Sequence, residues 1–181
     1  MGARNLTMVI DQEGKKKVAQ YGQWDGYPSG VGAGVLKFLK DKDLVQKFTQ
    51  NLSKVRFLDA EGVDKEFSES YDKASPKWSN EPDKRTDEQK RWFDTYCTRN
   101  LAEEVLTNIA NSEDSEIILM DSEETGKTGG WVEYSYLINF KENTFSVHNH
   151  IDQPPIKTYS LDELPEESVF ISELEGVEEE D

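Results

Sequence analysis

The chain has 181 residues and a mass of 20.7 kDa, with 35% hydrophobic and 32% charged residues and a formal net charge of −16 at pH 7. This size fits one domain that can bury a core without disulfide bonds. No apolar run reaches the roughly 18 residues of a membrane span, the first four residues lack the apolar core of a secretion signal, and Cys97 is the single cysteine. We therefore predict a cytoplasmic protein with no disulfide.

The negative charge is concentrated at the C-terminus. Residues 162–181 contain ten acids and no lysine or arginine, whereas the rest of the chain carries 27 acids against 21 bases. Binding of nucleic acid through a broad basic face is therefore disfavoured, because affinity for phosphates comes from clustered lysines and arginines. We predict a single domain over residues 1–161 and an acidic tail over 162–181, which either keeps the protein soluble or imitates the charge of DNA.

Hydrophobic periodicity in the first half predicts two strands followed by two helices. Strands are expected over residues 5–10 and 17–24, joined by a turn in which Gly14 supplies the positive φ of a hairpin. Apolar residues at helical spacing predict helices over 31–39 and 43–55. Residues 56–85 are polar and charged, which indicates a long connection or a small insertion.

The second half begins with the clearest helical pattern of the chain. Thr86 and Gln89 form a capping box, and apolar residues recur every four positions as far as Ile109, so one helix is predicted over 86–109 with Cys97 on its apolar face. A strand over 116–120, a hairpin of 131–140 with 144–148, and an edge strand over 156–159 follow. Five apolar residues of the acidic segment are expected to dock on the domain: Leu164, Val169, Phe170, Ile171 and Leu174.

These elements predict an α+β fold. We expect an antiparallel sheet, built from the N-terminal and C-terminal hairpins and packed against two to three helices.

One loop combines aromatic rings, an acid and glycines in a way that favours ligand or partner binding. The sequence from Gln20 to Gly30 holds three aromatic residues, one acid and three glycines. Tyr21, Trp24 and Tyr27 offer faces for a base or another ring, Gln20 and Gln23 offer amide groups, and Asp25 accepts hydrogen bonds. Arg4, near the start of the paired strand, offers a positive charge for a phosphate. In the alternative interpretation, Trp24 and Tyr27 anchor the core and the glycines make tight turns.

Three other motifs give weaker predictions. Gly126-Lys127-Thr128 lacks the preceding glycine and the following helix of a phosphate-binding loop, so a turn is expected there. His148 and His150 share one side of a strand and, with Asp152, suggest a zinc site, but a surface turn at the end of the strand explains these residues at least as well. The position of Cys97 favours a core thiol. We therefore predict no metal and no cofactor.

The N-terminal sequence resembles a known group of proteins. Arg4-Asn5-Leu6-Thr7 followed by the motif from Tyr21 to Gly30 is similar to an uncharacterised family of small bacteriophage and bacterial proteins that begin in this way. The resemblance covers about the first forty residues and is most specific in Asp25-Gly26-Tyr27-Pro28. It implies a phage origin and, as for other small acidic phage proteins, a role against host defences.

Three functions follow from these observations. The first is a non-enzymatic protein, active in the host cytoplasm, that captures a small nucleotide-like ligand in the aromatic loop. The second is an acidic interaction protein that occludes a basic, DNA-binding host protein. The third is a small hydrolase that uses Asp25 with Tyr27 or Arg4, although the sequence places no second carboxylate or histidine base beside them.

Overall fold

The computed structural model describes residues 2–58, 86–87, 89–90 and 101–176. Within them the chain forms seven strands and four α-helices. The strands are β1 (Asn5–Ile10), β2 (Lys16–Gly22), β3 (Val55–Phe57), β4 (Ile117–Leu119), β5 (Tyr134–Asn139), β6 (Thr144–His148) and β7 (Lys157–Ser160); the helices are α1 (Ala33–Lys40), α2 (Lys42–Asn51), α3 (Glu104–Asn111) and α4 (Glu167–Glu175).

Five strands form the main sheet in the order β2-β1-β5-β6-β7. Neighbours are antiparallel except β1 and β5, which pair in parallel and join the N-terminal hairpin to the C-terminal one. Gly14 has the φ of +82° expected for the first hairpin turn. The α+β prediction is therefore confirmed, with four described helices against the expected two to three. β3 and β4 form a separate two-stranded parallel sheet.

One face of the main sheet carries the larger part of the core. Alternate residues of the strands, among them Val9, Tyr136 and Phe145, are fully buried in one cluster with residues of all four helices, such as Phe48 and Leu106. Period-two alternation in the strands and an apolar stripe on each helix are the sequence features that allow this two-layer packing.

The opposite face of the sheet is covered by irregular chain. Leu6, Met8, Ala19 and Val132 form a second, smaller buried cluster there. A 3₁₀ turn at Glu123–Gly126 packs over β1 and β2, which places Gly126 close to Leu6. This turn contains the first residue of the Gly-Lys-Thr motif and is followed by β5, so no phosphate-binding helix begins there.

The predicted helix over 86–109 is partly confirmed and partly wrong. The capping box is present, since the amide of Gln89 donates to Oγ1 of Thr86 at 3.2 Å and the amide of Thr86 donates to Oε1 of Gln89 at 3.0 Å. However, Ala102 has a φ of +44°, which interrupts the helix, and α3 starts only at Glu104. The interruption brings Ala102 against Gly22 of β2, a tertiary contact that helical periodicity does not contain. Residues 91–100, with Cys97, lie outside the described residues.

Two other predictions need correction at their ends. The second helix stops at Asn51 rather than 55, because a 3₁₀ turn and β3 follow it. β3 also occupies the first residues of the predicted connection 56–85, of which 59–85 lie outside the described residues. The strand pairs with β4, so a partner about sixty residues away in sequence determines it.

The acidic segment after residue 161 contributes to the core. Helix α4 buries Phe170 completely, and its acids hold it in place: Tyr159 donates to Glu173 at 2.6 Å, and the amide of Ser29 donates to Glu175 at 2.8 Å. Leu164, Ile171 and Leu174 pack against the same cluster, as expected, whereas Val169 is 45% exposed.

Candidate functional site

The aromatic loop is held to the sheet by main-chain contacts. After β2, the amide of Gly26 donates to the carbonyl of Ala3 at 2.9 Å, and the buried hydroxyl of Tyr136 donates to the carbonyl of Gly26 at 2.6 Å. Asp25 has a φ of +55°, and its carbonyl accepts from the amide of Val31 at 2.8 Å. A π-helical turn at Pro28–Gly32 then leads into α1. These contacts fix the path of the loop while leaving its large side chains outside.

The structure places the predicted loop residues in three different environments. Trp24 and Tyr27 are 51% and 45% exposed, so neither is a core anchor. Gln20 is buried, and its amide donates to the carbonyl of Tyr21. The hydroxyl of Tyr21 donates to Oε1 of Gln23 at 2.5 Å, so these two side chains are hydrogen-bonded to each other.

Arg4, expected to attract a phosphate, already contacts an acid. Its guanidinium lies 3.5 Å from a carboxylate oxygen of Glu133, and its amide donates to the same carboxylate at 2.9 Å. Both side chains are about half exposed, so the pair is weak. A phosphate would nevertheless compete with Glu133 for this charge.

Trp24 and Asp25 line a groove that sequence reasoning missed. The groove has a volume of about 490 Å³. Its other wall is formed by residues 101–104, which are the turn before α3 and the first residue of α3. It therefore unites the loop with a segment about eighty residues away. The positive φ of Ala102, which directs the turn toward the loop, has no signal in the sequence.

The groove is acidic. It is lined by three acidic residues, Asp25, Glu103 and Glu104. Burial raises the pKa of the Glu103 carboxyl, and the negative charges of Glu104 and Asp25 raise it further. Three acids close enough to shift a pKa favour a positively charged occupant.

Tyr27 does not line this groove, and its ring packs against an aromatic row on the sheet. Its ring lies edge-on to Tyr134, with 6.1 Å between the centroids, and Tyr134 stacks beside Tyr136 at 6.4 Å. Trp24 and Tyr27 therefore offer two separate contact points rather than two walls of one ring-binding pocket.

Further exposed apolar residues lie at the same end of the sheet. The registers place the starts of β1, β5 and β7 and the ends of β2 and β6 together. Trp131 precedes β5 and is 55% exposed, and Ile156 precedes β7 and is 46% exposed. With Trp24 and Tyr27, they make up a surface that we call the aromatic end. Five strands at a spacing of about 4.8 Å make this end about 19 Å wide.

The two histidines do not form a metal site. Nε2 of His148 lies 2.8 Å from Oγ of Ser146, and Nδ1 lies 3.0 Å from the carbonyl oxygen of Gln153, so both ring nitrogens are occupied. Asp152 instead accepts from the amide and hydroxyl of Thr128. Among the described residues, no group of three or more His, Cys, Asp or Glu side chains is arranged to hold a metal ion.

His148 predicts a specific pH dependence of stability. Burial lowers its pKa below the usual value of 6.5, so the folded protein keeps the imidazole neutral where the unfolded chain binds a proton. The free energy of unfolding should therefore fall as the pH drops below about 6.5, by at most about 1.4 kcal/mol per pH unit, and level off below the folded-state pKa. Urea titrations between pH 5 and 8 measure this slope.

The His148→Gln variant is the reference for that measurement. The difference in pH slope between the wild type and the variant isolates the His148 imidazole from the many carboxyl groups that also titrate. Equal slopes in the two proteins, or an imidazole that titrates above pH 6.5 by NMR, would contradict the assignment.

A comparison of the chain with protein-family models, with curated proteins and with solved structures finds no match. The resemblance to phage proteins therefore stays a prediction. No helix in the described ranges combines the length and the apolar character needed to cross a membrane. The fold and the site define the class: an α+β protein with exposed aromatic residues and acidic residues at one end of its main sheet.

Proposed function

We propose that the protein is a non-enzymatic binding protein that docks a basic protein partner on the aromatic end. The observation that carries this proposal is the position of four exposed large apolar side chains at one end of one sheet, from three separate loops. Exposed aromatic residues, tryptophan and tyrosine above all, dominate the energetics of protein interfaces. Several large exposed apolar side chains at one end of a sheet are more typical of a contact surface than single exposed apolar residues are.

The charge around the aromatic end supports a basic partner. Asp25, Glu103 and Glu104 lie in the groove, Glu133 lies beside β5, and the whole chain carries −16. Opposite charge on a partner accelerates association and disfavours acidic competitors. Together with the resemblance to phage proteins, this supports the function of occluding a DNA-binding host protein.

The other two functions receive less support from the geometry. A nucleotide-like ligand would bring phosphates to a groove of three carboxylates, while Arg4 is paired with Glu133. A hydrolase using Asp25 with Tyr27 is disfavoured because Tyr27 does not line the groove that Asp25 lines, and its ring packs against Tyr134 instead. Glu103 does supply the second carboxylate near Asp25, but a binding role explains the exposed rings outside the groove as well.

Binding of three probes separates these functions. We expect isothermal titration calorimetry to detect acetylated octa-arginine at low salt, and neither octa-glutamate nor ATP. Tyr27→Ala and Trp131→Ala, which change no charge, should each weaken octa-arginine binding by about fivefold, which is about 1 kcal/mol, a loss that only a minority of interface residues reach. Val169→Ala is the matched control, because Val169 is as exposed as Tyr27 but lies on α4.

Two results would overturn the proposal. Equal affinity of the wild type, Tyr27→Ala and Trp131→Ala for octa-arginine would show that attraction is due to net charge alone. Binding of ATP that is lost in Trp24→Ala would favour the nucleotide-binding function instead.

Deleting residues 177–181 removes four acids without removing Glu175, and should change octa-arginine binding less than Trp131→Ala does.

A further inference from the structure

We propose that the outer edge of β7 pairs with an extended segment of the basic partner, which adds a further strand to the main sheet. This inference rests on the proposed function and deepens it, because it assigns the way in which one part of the partner binds. Strand addition of this kind takes its affinity from main-chain hydrogen bonds and its specificity from alternate side chains.

The two edges of the main sheet differ in how far they are covered. At the β2 edge, the carbonyl of Ala19 accepts from the amide of Ser122 at 2.9 Å, and β3 lies against the strand. β7 is the strand at the other edge, and within the described residues it pairs only with β6. The β7 edge is therefore the place where another strand can be added to this sheet.

The register of β7 turns the main-chain groups of two residues outward. The amide of Leu161 donates to the carbonyl of Asn143, just before β6, at 3.0 Å. In an antiparallel pair, hydrogen bonds to the same neighbour recur at every second residue. Tyr159 therefore bonds to β6, whereas the N–H and C=O groups of Thr158 and Ser160 point away from it. Both of these residues are exposed.

Three of these four outward groups are free for a partner. The carbonyl of Ser160 accepts from the amide of Glu163 at 3.2 Å, but the described residues provide no hydrogen bond for the amide of Ser160 or for either main-chain group of Thr158. An added antiparallel strand matches this set. The residue opposite Thr158 exchanges two hydrogen bonds with it, and the carbonyl two residues earlier in the added strand accepts from Ser160.

The charge on β7 is directed away from this edge. Proteins commonly place a lysine on an edge strand so that its charge prevents pairing. The ammonium of Lys157, however, lies 3.6 Å from a carboxylate oxygen of Glu173 and 5.7 Å from the centroid of the Tyr159 ring. Its charge is therefore turned toward α4, and the exposed side chains of the strand, Thr158 and Ser160, are uncharged.

The residues at the two ends of β7 define the chemistry of the segment that fits. Ile156, which belongs to the aromatic end, directly precedes the strand and is 46% exposed. Asp162 and Glu163 follow the strand, and both are exposed. A segment that places an apolar residue beside Ile156 and basic residues beside the two acids complements this edge. Four residues of strand span about 13 Å, so a short segment is enough.

The test uses two basic peptides that differ only in their main-chain donors. Acetyl-Lys-Val-Lys-Val-Lys-Val-Lys-amide is titrated into the full-length, ¹⁵N-labelled protein at low salt. The reference peptide has the same sequence and charge but is N-methylated at its five inner residues, which removes their donors and keeps the two backbones apart. It should bind at least about tenfold more weakly. Only the unmethylated peptide should slow the solvent exchange of the amides of Thr158 and Ser160, as measured by NMR.

Two variants at one position separate the main chain from the side chain. Thr158→Pro removes an N–H that points away from β6, and proline is tolerated at such a position of an edge strand. This variant should bind the unmethylated peptide about fivefold more weakly, because one donor is lost and the proline ring stands in the way of the added strand. Thr158→Ala keeps the N–H and should change the affinity by less than about twofold. If Thr158→Pro does not fold, the comparison of the two peptides on the wild type decides alone.

The inference is wrong if the two peptides bind equally, if Thr158→Pro and Thr158→Ala have the same affinity, or if the peptide protects other amides but not those of Thr158 and Ser160. Its failure is distinguishable from failure of the proposed function. Octa-arginine binding that depends on Tyr27 and Trp131, together with no effect of N-methylation, would leave the docking surface standing and remove only the added strand.

Discussion

Replacing Phe170 by alanine should lower the free energy of unfolding by about 3–5 kcal/mol, the range measured for large aromatic residues in cores. The ring is fully buried, stacks on Phe145 with 5.8 Å between the centroids, and lies 5.7 Å from Tyr159. Its removal leaves a cavity that the surrounding rings cannot fill without repacking. Urea denaturation followed by circular dichroism measures the change.

Val169→Ala is the control for that experiment. Val169 is the neighbour of Phe170 on α4 but is 45% exposed, so its truncation should change stability by less than about 0.5 kcal/mol. If Phe170→Ala also lowers the free energy of unfolding by less than about 1 kcal/mol, α4 is not part of the core and the acidic segment is a free tail. The measurement thus decides whether the domain ends before or after α4.

Replacing Gly30 by alanine should destabilise the protein by about 1–3 kcal/mol, the usual cost of overpacking. An added Cβ would lie 2.2 Å from the carbonyl oxygen of Asp25, a main-chain atom that cannot rotate away. The same oxygen accepts from the amide of Val31 at 2.8 Å, so relief of the clash would break a bond that closes the loop. We therefore expect lower stability and weaker binding of octa-arginine together.

Ser29→Ala provides the comparison for Gly30→Ala. Ser29 is the exposed neighbour, and its contact with Glu175 uses the main-chain amide, which alanine retains. Stability within about 0.5 kcal/mol of wild type is expected for Ser29→Ala. A Gly30→Ala protein as stable as Ser29→Ala, with unchanged octa-arginine binding, would show that the hydrogen bond between Val31 and Asp25 does not close the loop.

Much of the secondary structure could be predicted because its signals are local. β1, β6 and the turn at Gly14 follow from alternation over a few residues and from one glycine, and the hydrogen bonds of Thr86 with Gln89 follow from their spacing. The interruption at Ala102 could not be predicted, since alanine favours a helix and the contact with Gly22 that accompanies its φ comes from another part of the chain.

The candidate site could likewise be predicted only in part. Composition alone pointed to the aromatic loop, and the exposure of Trp24 and Tyr27 agrees with a contact role. Composition did not reveal that Tyr21 and Gln23 bind each other. Nor did it reveal that Arg4 pairs with Glu133, or that acidic residues line the groove. These depend on which side chains meet after folding.

By itself, the sequence determined the α+β class, both hairpins, the capping box and the unusual character of one loop, because each depends on periodicity or on residue types within a few positions. The tertiary structure decided that β1 and β5 pair in parallel, that Phe170 of the acidic segment enters the core, and that residues 101–104 complete a groove with Trp24. The physical reason is that long-range pairing and burial depend on the shape of distant surfaces, which no local pattern encodes.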